Sequence, residues 1–425
     1  YLFYLFFFLS EIEAATINDY QIEKLIHGYI STIKSANQYN NEITFRIILD
    51  NNPNAFIDRN RTMFVSTGLI KYIYSYEALI GVLAHEIGHL NNFHISKKIE
   101  SIKNLKSLNS FGTLSVIASS ILTKNAIIEP LIFNNVGIQN YYSAFSREQE
   151  READVYASET LNKLNLSSTP LKEFLEFLEE QSIKKGIVKE SFKFSSHPVY
   201  KERYQILENY SKKNNFEFNK ENDVNFKFVK AKIFGYTEIE SIEITEYLKD
   251  DFYDYANSII LSRKGKLKES LIIINDLINK YPANIFLVET KADLLFAHGY
   301  TKEASQFYKK VLKKYPDNYY IKKRIFEIEF ESFEEKTYLF NSQYFSEYSD
   351  LIFIFEKDDI LLKKFRKLGI YIKNDEWVNY INAQLCINEQ LYKKAKKLLN
   401  EIIINSKNIK LISNSKNKLK KIIDE

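Results

Sequence analysis

The chain has 425 residues, 45% of them hydrophobic and 27% charged, the proportions of a globular protein long enough for roughly two or three domains. Its 59 basic and 55 acidic residues leave a formal charge of +4, too nearly balanced for a dedicated nucleic-acid binder. Cys386 is the only cysteine, which excludes an intrachain disulfide and a cluster of zinc-binding thiolates.

Tyr1 to Leu9 is an unbroken apolar run followed by Ser10-Glu11-Ile12-Glu13-Ala14-Ala15. Nine residues cannot span a bilayer, which needs about 20. The run resembles the tail of a secretory signal, with a small-residue cleavage site near Ala14 or Ala15, so residues 1–15 are read as a signal remnant and the protein as exported. Residues 17–36 have helical spacing, and residues 43–49 read as a strand that ends at the turn formers Asp50-Asn51-Asn52-Pro53. Two short strands, 54–58 and 62–66, flank an Asp58-Arg59-Asn60-Arg61 turn. From Tyr76 the pattern becomes helical and strongly apolar. Residues 111–123 are apolar and uncharged but too few to span a membrane, which favours a buried or lid-like helix; peripheral membrane contact of 111–133 stays open. A further helix covers about residues 143–164.

The composition turns polar near Asn209, which marks the end of a domain at 16–209 and a linker over 210–249. Beyond it the chain repeats itself. Gly265 and Gly299 are 34 residues apart, as are Glu269 and Glu303, Tyr281 and Tyr315, Pro282 and Pro316, and Asn284 and Asn318. That period, with small residues at helix crossings and Pro after the second helix, resembles tetratricopeptide repeats over 250–325. Each unit is a helix pair that buries its apolar face only by stacking on a neighbour. Residues 326–425 read as helical, with a degenerate unit near 377–404.

His85-Glu86-Ile87-Gly88-His89 carries the chemistry. Positions i and i+4 share one helix face, so both imidazoles can reach a single metal ion at about 2.0–2.1 Å. Glu86 stands beside them, where it can take a proton from a water at the metal. With six histidines in the chain, chance formation of this string is on the order of one in a hundred. The alternative, histidines that merely satisfy core hydrogen bonds, would bury three ionisable groups in five positions of an apolar helix without partners. A zinc site needs a third protein ligand. Ser146-Arg147-Glu148-Gln149-Glu150-Arg151-Glu152-Ala153-Asp154 offers three glutamates. Glu150 and Asp154 share a helix face with Ala153, Ala157 and Leu161, whereas Glu148 and Glu152 fall beside Glu159 on a face that reads as solvated. Glu150 is therefore the expected third ligand, and Asp154, one turn on, is expected to hydrogen-bond a ligating histidine or to hold the water network. His94 lies about 140° round the helix from His89 and is expected to hydrogen-bond nearby without binding the ion. His27 and His298 are read as structural.

These strings resemble the zinc endopeptidase family of the CAAX prenyl protease, and within it the exported branch that bears repeats. The resemblance covers about residues 54–203. It rests on Asn54-Ala55-Phe56, Ser66-Thr67-Gly68-Leu69, the His85 to His89 string followed by His94, Phe145 to Asp154, and Ser195-Ser196-His197-Pro198 with Arg203. The Asp58 to Arg61 turn departs from it, since relatives often carry glycines there. The resemblance implies His85, His89 and Glu150 as ligands of one Zn(2+) per chain, Glu86 as base and a supporting role for Asp154. It also implies periplasmic action on misfolded or outer-membrane proteins and contact with their assembly machinery. Pro198 biases His197 to an extended backbone. His197 then either fills the zinc's open position or polarises the scissile carbonyl, with Arg203 at the oxyanion; the other reading makes it a helix cap.

The expected fold is thus an α+β metallopeptidase domain of the zincin type, mostly helical with a small sheet, followed by an all-α tetratricopeptide-repeat domain. The expected activity is zinc-dependent hydrolysis of peptide bonds in protein or peptide substrates, with residues 62–66 as a strand edge for the substrate and the repeats as a docking surface. The competing reading is a repeat-based chaperone or adaptor whose zinc site is closed.

Overall fold

A computed structural model describes residues 16–96, 145–184, 201–211, 216 and 219–424. The expected signal remnant, the apolar stretch 111–133 and His197 lie outside the described residues. The chain divides into two compact units, Tyr1–Lys266 and Leu267–Glu425.

In the first unit β1 (Thr16–Ile17) runs antiparallel to β2 (Thr44–Ile48), β2 runs parallel to β4 (Thr62–Ser66), and β4 runs antiparallel to β3 (Ala55–Ile57). The order is β1-β2-β4-β3, so β4 lies inside the sheet and cannot offer the edge expected of it; among the described residues that edge belongs to β3. The β3–β4 turn is fixed by Asp58, whose Oδ1 accepts from the Thr62 backbone N–H at 2.8 Å. Arg61 takes φ 63°, the conformation a glycine would adopt without strain. α1 (Tyr20–Ala36), started by Asp19 as N-cap, buries Ile22, Ile26, Ile30 and Ile33 along one stripe.

β4 runs directly into α2 (Thr67–Tyr72), whose N-cap Ser66 accepts from Leu69 N–H at 3.0 Å. Gly68 is required there, because a Cβ would come within 2.3 Å of the Asn51 carbonyl oxygen. α3 (Tyr76–Asn91) is buried on several sides through Ala78, Leu79, Ile80, Leu83, Ala84 and Ile87. It is the central helix of the core, touching α1, β3, α4 (Arg147–Lys163) and α5 (Thr169–Lys184). α6 (Lys201–Ser211) lies against α4 and α5.

Residues 210–249, expected as a linker, hold α7 (Lys220–Thr237). α7 buries Phe226, Phe228, Val229, Ile233 and Phe234 and packs on α1, α2, α3 and α8 (Asp250–Arg263). Its amphipathic pattern is masked by Lys230 and Lys232, which are buried between the apolar residues. Lys230 Nζ donates to the Ile73 carbonyl at 3.0 Å, and Lys232 pairs with Asp19.

The second unit is all helical among the described residues. It begins with α9 (Leu267–Lys280), α10 (Ile285–Ala297), α11 (Thr301–Lys314) and α12 (Tyr319–Phe330). Gly265 (φ 79°) and Gly299 (φ 83°) end α8 and α10 with the same pair of bonds. Lys266 N–H reaches Leu261 O at 2.9 Å and Tyr300 N–H reaches Leu295 O at 3.0 Å, a left-handed glycine cap used twice at the 34-residue spacing. An aromatic core follows, in which Phe326 stacks on Phe365 at 4.2 Å and Trp377 meets Phe345 edge-on at 5.5 Å. No helix among the described residues is long and apolar enough to cross a membrane.

Candidate metal centre

The two helices that carry the chemistry are pressed together at Gly88. A Cβ there would lie 3.1 Å from Tyr156 Cβ and 3.2 Å from Ala153 Cα, so the glycine lets α3 approach α4 closely. α4 itself starts at a fixed residue through a capping box, with Ser146 Oγ accepting from Gln149 N–H and the Gln149 side chain accepting from Ser146 N–H. Glu150 and Asp154 then fall one turn apart on the face toward α3, both fully buried.

His85, His89 and Glu150 converge there. The two Nε2 atoms are 3.1 Å apart, Glu150 Oε2 is 3.5 Å from His85 Nε2, and Glu150 Oε1 is 3.5 Å from His89 Nε2. Tetrahedral zinc with bonds of about 2.0–2.1 Å sets its ligand atoms about 3.3 Å apart, so the triangle has the right size. These three residues are the candidate metal-binding group among the described residues.

Charge and hydrogen bonding orient the donors. His85 Nδ1 lies 2.9 Å from Asp154 Oδ1, which accepts its proton and leaves the Nε2 lone pair free. Asp154 also accepts from Arg203, at 2.7 Å from Nε and 2.8 Å from Nη2, and Arg203 Nη1 pairs with Glu150 at 3.0 Å. Burial disfavours a charged His85, but the Asp154 and Glu150 carboxylates outweigh it and hold its pKa above the ordinary value. Burial likewise disfavours charge on Asp154, yet Arg203 and His85 keep it below the usual carboxylate range. The Arg203 guanidinium is held charged against burial by Asp154 and Glu150. Arg203 was expected at an oxyanion; its guanidinium is instead engaged by two carboxylates inside the protein.

His89 is flanked by Phe145, stacked on its ring at 4.0 Å, and by His94, whose Nδ1 is 3.0 Å from His89 Nδ1. α3 ends at Asn91, and Phe93 at φ 59° turns the chain so that His94 folds back over His89. The helical angle expected for His94 therefore does not apply, although its expected neighbourhood does. Glu148 stands in solvent paired with Arg151, as its helix face suggests. Glu152, placed on the same solvated face, instead receives His94 Nε2 at 2.9 Å. Nothing in the helix pattern marks that contact, because it depends on the turn at Phe93.

Glu86 is buried beside His85, and both line a cavity of about 60 Å³ whose far wall is Leu171, Phe174, Leu175 and Leu178 of α5. Asn54 and Ala55, at the start of edge strand β3, line it from the other side. The Asn54 side-chain oxygen is buried there and has no hydrogen-bond partner among the described residues.

Residues 17–211 match the model of peptidase family M48. The chain is similar to the beta-barrel assembly-enhancing protease of Yersinia pestis, 22% identical over 64% of this chain and 58% of that protein. It is also similar to the protein of that name in Escherichia coli K12, 24% identical over 40% of this chain and 35% of the relative. The putative one of Vibrio cholerae is 27% identical over 40% of this chain and 34% of the relative. The chain thus spans between about a third and somewhat over half of these curated relatives. That match encloses the converging His85, His89 and Glu150, so residues 17–211 resemble peptidase family M48 in sequence and bring together a candidate metal-binding triad.

Proposed function

We propose that the protein is a zinc-dependent endopeptidase that cleaves unfolded or loosely folded proteins of the cell envelope. The observation that carries this reading is the convergence of two histidine Nε2 atoms and a carboxylate within 3.5 Å of one another. Three lone-pair donors so close repel unless a cation lies between them. His85, His89 and Glu150 hold one zinc. When bound, it supplies a Lewis acid that polarises a carbonyl and makes a water acidic near neutral pH. Glu86 takes the proton of the attacking water and delivers it to the leaving amine. Asp154 and Arg203 position His85 and Glu150 and touch no substrate in this scheme.

An extended substrate pairs with the outer edge of β3, donating an amide N–H to Asn54 Oδ1 and dropping one side chain into the cavity walled by α5. The helix pairs of 250–325 are tetratricopeptide repeats that dock the substrate or a partner, with degenerate units over 326–425. The paired glycine caps at Gly265 and Gly299 support this. The relatives' description as beta-barrel assembly-enhancing proteases supports proteins of β-barrel assembly as substrate or partner; on that reading the site of action is the periplasm and the partner is outer-membrane assembly machinery. His197 regulates the open zinc position or donates to the developing oxyanion.

The test is cleavage of an unfolded protein such as casein by the zinc-loaded full chain and by Glu86→Gln. The variant keeps its zinc and loses at least about 10²-fold in rate. Equal turnover by the two proteins sinks the mechanism. A wild type that cleaves nothing yet suppresses aggregation, as Glu86→Gln then also would, replaces it with the chaperone reading.

A further inference from the structure

Among the described residues, the two zinc histidines meet different groups at Nδ1. His85 has Asp154 there at 2.9 Å, whereas His89 has the ring of His94 at 3.0 Å. Two facing imidazole nitrogens share one proton, so one of them donates and the other accepts. The far side of His94 decides which. Glu152 Oε2 lies 2.9 Å from His94 Nε2, and an ionised carboxylate only accepts. His94 therefore carries its proton on Nε2 and presents a bare Nδ1 to His89. His89 donates from Nδ1, which leaves the lone pair on Nε2, the atom aimed at His85 Nε2 and Glu150.

We propose that His94 and Glu152 are positioning residues that fix the tautomer and ring orientation of His89 for zinc, through a relay from Glu152 to His94 to His89. The proposal rests on the zinc reading above and deepens it. Its geometry is complete at each link: His94 is fully buried, while the Glu152 side chain is 40% exposed and needs no second buried cation. The ring of Phe145 stacks on one face of His89, so the relay at the ring's edge and the stack on its face together restrict the imidazole's orientation. The backbone is bent for the purpose. Phe93, 68% exposed, takes φ 59°, a region that costs a bulky residue energy and persists where surrounding contacts demand it. The contacts it secures are those of His94. The site is thereby oriented from both ends of one α4 segment, with Asp154 acting directly on His85 and Glu152 acting on His89 at one remove.

The experiment measures zinc affinity of the full chain by chelator competition, together with the visible spectrum of the cobalt-loaded protein and the imidazole ¹⁵N shifts. Glu152→Ala weakens zinc binding by about 10–100-fold, the usual cost of removing such a partner, and changes the cobalt spectrum. Glu152→Gln, whose amide oxygen still accepts from His94 Nε2, recovers a large part of the loss. Glu148→Ala, on the solvated face, binds zinc as the wild type does. In the wild type the shifts place protons on His94 Nε2 and His89 Nδ1. Unchanged affinity and spectrum in Glu152→Ala overturn the relay while leaving the ligands in place. A loss of affinity explained by unfolding of the metal-free variant also overturns it, giving Glu152 a structural role. A wild-type chain that binds no zinc overturns the ligand set as well, and His85→Ala separates that case by losing whatever zinc the wild type holds.

Discussion

Asp154 Oδ1 stands 2.9 Å from His85 Nδ1 while the same carboxylate receives two bonds from Arg203. One buried anion thus serves a metal ligand and a buried cation together. Removing its charge breaks the buried ion pair with the guanidinium, and breaking such a pair costs about 3–5 kcal/mol. Asp154→Asn is therefore expected to lower the stability of the metal-free chain on that order and to weaken zinc binding about 10–100-fold. Denaturant unfolding with and without chelator measures both. Unchanged zinc affinity in a folded Asp154→Asn protein would remove Asp154 from the site.

Glu150 and Glu148 separate ligation from surface charge on one helix. Glu150 is fully buried within 3.5 Å of both Nε2 atoms, whereas the Glu148 side chain is 61% exposed and bonded to Arg151. Glu150→Gln should abolish stoichiometric zinc, read by metal analysis after dialysis, and Glu148→Gln should keep it. Retention of zinc by Glu150→Gln would refute the third ligand.

The metal triangle was legible because its information is local. His85 and His89 are one turn apart, and Glu150 and Asp154 share the small and apolar face of α4. What stayed hidden depended on contacts between distant segments. The helical pattern gave no sign that the chain would turn at Phe93 and carry His94 onto Glu152, 58 residues on. Strand order could not be read from strand composition, so 62–66 looked like an edge although β2 and β3 cover both its sides. α7 escaped notice because Lys230 and Lys232 interrupt its apolar stripe. Their ammonium groups find the Ile73 carbonyl and Asp19, which no periodicity foretells.

The cavity beside Glu86 makes a prediction about substrate. A space of about 60 Å³ takes about four or five atoms of water size, the bulk of a leucine or isoleucine side chain. Its wall of Leu171, Phe174, Leu175 and Leu178 disfavours charge. Mass-spectrometric mapping of cleavage sites in an unfolded protein should show aliphatic residues enriched at one position next to the scissile bond. Asn54→Ala should raise KM more than it lowers kcat. Cleavage sites with no residue preference would refute the pocket's role.

Lys230 gives a test of the fold that does not involve the metal. The residue is 4% exposed, and its ammonium donates to the Ile73 carbonyl at 3.0 Å. Burial, with Lys227 nearby, pushes its pKa from 10.5 down to about 8. The folded chain therefore releases this proton before the unfolded chain does. Below pH 8 both states hold the proton, and folding carries the full cost of burying the charge. Between pH 8 and 10.5 the unfolded state binds more protons, so the contribution of this residue to stability rises with pH. Over that interval of two and a half units the gain is on the order of 3 kcal/mol. Lys230→Met carries no charge at any pH. It should be more stable than the wild type at pH 7, and the gap should narrow steadily as pH rises from 8 to 10.5. Urea unfolding of both proteins at matched pH values measures the difference, in which the other titrating groups cancel. A gap that stays constant across this range would show that the Lys230 ammonium is solvated, and that α7 is less tightly seated on α2 than its buried side chains require.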